Sequence, residues 1–119
     1  MRALTTVFKA LSDETRLKMI GLLLEQGEGE LCVCDFVHAL AITQSKASRH
    51  LRHLVHAGLL CDRRDAIWVY FRIANDPGPA QARVIEMLPA VLEGRVPAEL
   101  LERLADWKRS KECAGGSCG

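Results

Sequence analysis

The sequence predicts a mainly α-helical domain carrying a β-hairpin, and three observations carry that expectation. Two short amphipathic segments, 32–40 and 44–57, are separated only by Ala41-Ile42-Thr43. The second of them bears a basic face and stops at Gly58. Residues 59–73 then read as two short strands around a turn at Arg64-Asp65-Ala66, with apolar and polar residues alternating from 67 to 73. Helix, tight turn, basic helix and basic hairpin in that order predict a winged helix-turn-helix.

The remaining elements follow from periodicity and breakers. Leu4, Val7, Phe8 and Leu11 repeat at helical spacing and predict a first helix over 2–11. Ser12 and Asp13 offer caps for a second helix over 14–26, whose apolar stripe is Leu17, Ile20, Leu23 and Leu24 and whose end is marked by Gly27 and Gly29. Thr43 is the expected cap of the 44–57 helix, with Ala47, Leu51, Leu54 and Val55 turned inward. In the hairpin, Ile67, Val69, Phe71 and Ile73 share one face. Asn75-Asp76-Pro77-Gly78-Pro79 breaks the chain before a helix over 80–92, in which Pro89 is expected to introduce a kink. Pro97 opens a last helix carrying Leu100, Leu101, Leu104 and Trp107. Residues 1–109 are expected to form one DNA-binding and dimerisation domain, and 110–119 a flexible tail holding two cysteines.

Composition sets the outer limits. With 119 residues, 49% hydrophobic and 26% charged, the chain suits one globular domain, and so short a chain gains from burial in an oligomer. No apolar run reaches membrane-spanning length and the N-terminal segment lacks a secretory pattern, so a cytoplasmic protein with no membrane partner is expected. Five cysteines at irregular spacing (Cys32, Cys34, Cys61, Cys113 and Cys118) do not form a disulfide framework and point to soft-metal or redox chemistry. Cys61, at the base of the hairpin, reads as a packing residue. A Cys-x-x-Cys motif, a phosphate-binding glycine loop and a Ser/His/Asp set are all missing from the sequence, so an enzyme is not expected.

The net charge is only +1, but its distribution is uneven. Residues 44–64 hold Lys46, Arg49, Arg52, Arg63 and Arg64 against the single acid Asp62, as a phosphate-contacting surface requires. On the second helix of the pair, Gln44, Ser45 and Ser48 are the candidate base readers, because Gln pairs bidentately with adenine and Ser suits either base or phosphate. Arg49, His50 and Arg52 are candidate phosphate or mixed contacts. Arg63 and Arg64, at the expected hairpin tip with Asp65, would lie on the adjacent backbone or minor groove.

Three stretches, SDETRLKMIGLL (12–23), ELCVCDF (30–36) and TQSKASRHLRHLVHAGLL (43–60), resemble the ArsR/SmtB family of metal-responsive repressors, over roughly residues 2–92. The resemblance implies a homodimer built by the first helix and the helix after the wing, bound to an imperfectly palindromic double-stranded operator and released by an inducer. ELCVCD resembles the arsenic-sensing branch, which implies that Cys32 and Cys34 bind As(III) or Sb(III), both thiophilic centres. That motif often has a third cysteine where this chain has Val37, and Cys113 or Cys118 is the candidate replacement. The absence of histidine from residues 80–109 argues against the zinc site of other members.

Geometry adds a condition. In a regular helix, residues i and i+2 point about 200° apart, whereas in extended chain they share a side. Joint binding by Cys32 and Cys34 therefore requires a distorted helix start, and remodelling of 31–36 becomes the expected switch. Methylarsenite, which needs two thiolates, cadmium or lead, and thiol oxidation between Cys32 or Cys34 and a tail cysteine are the alternative signals.

Overall fold

A computed structural model describes residues 1–113, with side chains through Lys111. It contains α1 (Arg2–Leu11), α2 (Glu14–Glu25), β1 (Leu31–Cys32), α3 (Val33–Leu40), α4 (Gln44–His56), β2 (Leu60–Asp65), β3 (Trp68–Ile73), α5 (Pro79–Leu92) and α6 (Ala98–Cys113). The mainly α fold with a β-hairpin is as the sequence predicts. No helix among the described residues is long and apolar enough to cross a membrane.

Side-chain caps explain where α2 and α4 begin. The Asp13 carboxylate accepts the Arg16 backbone N–H at 2.9 Å and starts α2. Thr43 Oγ1 accepts the Lys46 N–H at 3.2 Å and starts α4. Between α3 and α4 the chain reverses through Ala41 in the left-handed region (φ 55°), with the Ile42 N–H returning to the Val37 carbonyl at 3.3 Å. At the end of α4, Gly58 takes φ 81°, and the Leu59 N–H closes onto the Leu54 carbonyl at 3.1 Å. Glycine is used there because a side chain would meet both αL strain and the Gln81 side chain.

One buried core joins the elements. Val7 and Leu11 of α1, Met19, Ile20, Leu22 and Leu23 of α2, Phe36 and Ala39 of α3, and Ala47, Leu51 and Leu54 of α4 are all in it. Phe71 of β3, Val84 and Leu88 of α5, and Leu100 and Leu104 of α6 complete it. α5 continues through Pro89.

Three details correct the sequence expectations. The hairpin has a third strand: β1 pairs with β3 (Leu31 with Phe71, Cys32 with Tyr70), giving an antiparallel sheet of order β1-β3-β2. The hairpin reverses at Ala66-Ile67 rather than at 64–66. Asp65 pairs with Trp68, and Ala66 supplies the positive φ (57°) that so short a link needs. Finally, α6 continues past the expected boundary at 109 to Cys113, because Lys111 is held against α3 by Asp35. Residues 114–119, with Cys118, and the Cys113 side chain lie outside the described residues.

Candidate nucleic-acid interface and thiolate site

α4 buries Ala47, Leu51 and Leu54 against α2, α3 and β2, which leaves a polar face outward. Gln44, Ser45, Arg49 and Arg52 are exposed on it and Ser48 is half-buried. His50 is not on that face. Its side chain is 13% exposed, and Nδ1 accepts a hydrogen bond from Arg16 Nη1 at 3.0 Å. Arg16 also donates through Nε to the Ala10 carbonyl at 2.6 Å, so this guanidinium ties α1, α2 and α4 together. Burial pushes the His50 imidazole below its usual range, with Arg16, Lys46 and Arg49 adding to the effect and Asp13 opposing it. Because an arginine only donates, the neutral ring carries its proton on Nε2. The expected phosphate contact is thus corrected to a positioning role. Its partner Arg16 lies 34 residues away in sequence.

Arg63 of the wing and Arg52 of α4 are also engaged within the chain. Arg63 Nε donates to Glu30 Oε2 at 3.2 Å while its guanidinium lies 4.6 Å over the Tyr70 ring. The hydrogen bond from Arg63 holds the Glu30 carboxyl below the usual range. Arg52 pairs with Asp62 at 2.9 Å. Arg63 and Arg64 therefore stand in β2, opposite Tyr70 and Val69, rather than at the tip. Arg64 is exposed and forms no ion pair among the described residues. Such exposed pairs are worth at most about 1 kcal/mol, so phosphates compete for Arg52 and Arg63 at little cost.

The two cysteines occupy different backbone states. Cys32 is the N-cap of α3, extended at φ −90°, ψ 168°, and buried. Cys34 lies one residue inside the helix and is half-buried. Burial raises the Cys34 thiol above its usual range, with Asp35 adding to this and Lys111 opposing it. The distortion that joint binding requires is thus already present at Cys32, supplied by β1. Both cysteines line one cavity of about 340 Å³, whose other walls include Gln44, Ser48 and Arg52 from α4 and Trp68 from β3. Cys61 is a free thiol at the start of β2 and does not line this cavity. Among the described residues, no group of three or more His, Cys, Asp or Glu side chains is placed to hold a metal ion.

Asp35 organises this region. It is the only buried charged residue among those described. Oδ2 accepts the Cys32 N–H at 2.9 Å, the carboxylate half of a capping box. Oδ1 accepts from Trp107 Nε1 at 2.9 Å and Lys111 Nζ at 2.7 Å, both on α6. Neither the β1 strand nor this carboxylate is signalled by local pattern; the Glu30-Leu31-Cys32 run is too short to register as alternation.

A reading helix packed behind a tight turn, with a three-stranded wing beside it, defines a winged helix-turn-helix DNA-binding regulator. A model of the arsR family of bacterial regulatory proteins matches residues 13–61. The chain is 47% identical over 92 residues to the arsenic resistance transcriptional regulator ArsR1 of Pseudomonas putida, covering 77% of this chain and 65% of that protein. It is 48% identical over 87 residues to ArsR2 of the same organism, covering 73% and 71%. The homodimeric winged helix-turn-helix domain of Mb0332 from Mycobacterium bovis superimposes with a TM-score of 0.62 at 29% identity, over 82% of this chain and 84% of that one. The chain belongs to the ArsR family, whose members are DNA-binding transcriptional regulators and not enzymes.

Proposed function

We propose that this protein is a cytoplasmic repressor that binds operator DNA as a homodimer and is released when As(III) or Sb(III) binds the thiolates of Cys32 and Cys34. The observation that carries this reading is the shared cavity, which both cysteines line together with residues of α4 and the wing. A soft centre entering it presses on the elements that contact DNA, and a difference in affinity between the two states supplies the coupling, about 1–3 kcal/mol. Under reducing conditions each arsenic–sulfur bond forms as one arsenic–oxygen bond breaks, the arsenite hydroxyl leaving as water with the proton of the thiol. Cys113 or Cys118 supplies a third sulfur in place of Val37.

Gln44, Ser45 and Ser48 read the major groove, with Arg49, Arg52, Arg63 and Arg64 on the backbone. The dimer is supported by large apolar side chains left exposed on two helices that touch each other: Phe8 (48%) on α1, and Met87 (42%) and Val91 (48%) on α5. A two-fold dimer carries two copies of α4 to successive half-sites, which calls for an imperfect palindrome.

The test is release of the operator complex, kept under a non-thiol reductant, by arsenite, antimonite, methylarsenite, cadmium or lead. Arsenite and antimonite are expected to release the wild type, and Cys34→Ser to abolish release with operator affinity intact. Release of Cys34→Ser by arsenite overturns the assignment. Release only by cadmium and lead, or only by an oxidant, replaces the inducer with that signal.

A further inference from the structure

The contacts between α6 and α3 bear on how the two sulfurs are held. Leu100 and Leu104 bury α6 in the core, and Arg103 Nε donates to the Ala39 carbonyl at 2.9 Å. The Trp107 ring stacks on His38 with centroids 3.5 Å apart and planes 7° from parallel. One turn further on, Lys111 places Nζ 2.7 Å from Asp35 Oδ1 and 4.0 Å from Cys32 Sγ. α6 lies outside the segment matched by the family model.

We propose that Trp107 and Lys111 are positioning residues for the thiolate pair, acting through Asp35; this rests on Cys32 and Cys34 being the inducer site. One carboxylate has two jobs. Oδ2 keeps the Cys32 N–H capped, which holds Cys32 extended while Cys34 is helical. Oδ1 is fixed by the indole N–H and the ammonium. Without these two donors the carboxylate can rotate about its own side-chain bonds. Cys32 then loses one of the two anchors, beside its β1 pairing, that hold it extended where it lines the same cavity as Cys34. α6 thus sets how well the site is organised before the inducer arrives, and inducer affinity depends on it. Trp107 and Lys111 belong neither to α4 nor to the wing, and β1 still pairs Cys32 with Tyr70 without them, so operator affinity is set by other residues.

The experiment separates those two affinities. Trp107→Phe removes the N–H and keeps the ring on His38; Lys111→Met removes the charge; Lys111→Arg keeps a donor and a charge. Arsenite affinity is read from arsenic–thiolate ultraviolet absorption without DNA, and operator affinity without arsenite. Trp107→Phe and Lys111→Met are each expected to weaken arsenite binding about tenfold, within the range for groups that orient a metal ligand. Operator affinity should stay at the wild-type value, and Lys111→Arg should recover most of the loss. Wild-type arsenite affinity in Trp107→Phe and Lys111→Met overturns the positioning role alone. An equal loss of operator affinity also overturns it, since that marks general damage to the fold. A wild-type protein that arsenite neither binds nor releases overturns this role together with the proposed function.

Discussion

Replacing Asp35 with alanine removes three hydrogen bonds at one point, and its cost can be worked from the structure. The lost back-bond to the Cys32 N–H is a helix cap, worth about 1 kcal/mol. The Trp107 indole N–H loses its acceptor in a half-buried setting, about 1 kcal/mol more. Lys111 loses its partner while its side chain is only 15% exposed. Breaking a fully buried pair costs about 3–5 kcal/mol, and partial exposure of Lys111 reduces that to about 1–2 kcal/mol. A total of about 3–4 kcal/mol lowers the melting temperature by about 12–16 °C for a chain of this size. Asp35→Asn keeps one carbonyl oxygen and is expected to lose about half as much. The assay is urea unfolding by far-ultraviolet circular dichroism, under reductant and at one fixed protein concentration, because the proposed dimer would make apparent stability concentration-dependent. A loss below about 1 kcal/mol for Asp35→Ala would refute the view that this carboxylate fastens α6 to α3.

Further substitutions test other parts of the molecule. Arg49→Ala should weaken operator binding about tenfold and reduce the salt dependence by about one counterion, leaving arsenite stoichiometry unchanged; filter binding across a salt series checks both. The His50 imidazole titrates below its usual range in the fold, so the unfolded chain takes up that proton first as pH falls. Its contribution to stability is therefore complete above the unfolded value near 6.5 and declines as pH drops below it. His50→Gln should flatten the stability profile between about pH 7 and 5, and an unchanged slope in urea titrations counts against the Arg16–His50 joint. Gly58→Ala should cost about 1 kcal/mol, because alanine must adopt φ 81° beside Gln81, and thermal melts will register it.

What the sequence disclosed and what it concealed divide along physical lines. Helical periodicity and capping residues located α1, α2, α3 and α4 closely, because Asp13 and Thr43 act on neighbours three residues away. The alternation from Ile67 to Ile73 marked the strand that buries Phe71. The hairpin tip was misplaced because Ala66 adopts a left-handed conformation without the glycine or asparagine that usually announces one. His50 is a candidate phosphate contact from its place in a basic stretch, yet its partner in the fold is Arg16 on another helix. The role of Asp35 is not legible in the sequence, since its partners Trp107 and Lys111 stand 72 and 76 residues away. Local pattern does not encode such distant contacts. They are what joins the wing, the cysteines and the last helix.

The pairing of Cys32 with Tyr70 has a consequence for how a population of these molecules responds. The cysteine is part of the same sheet as the wing, so under the proposed function the inducer site and the element that lies on DNA share one backbone framework. Thermodynamic reciprocity then requires that the operator weaken inducer binding by the same factor by which inducer weakens operator binding. Molecules off the DNA fill first, and they soak up the early dose. The concentration of inducer that lifts repression therefore rises with the number of unbound copies, which makes the abundance of the repressor a setting of the alarm threshold.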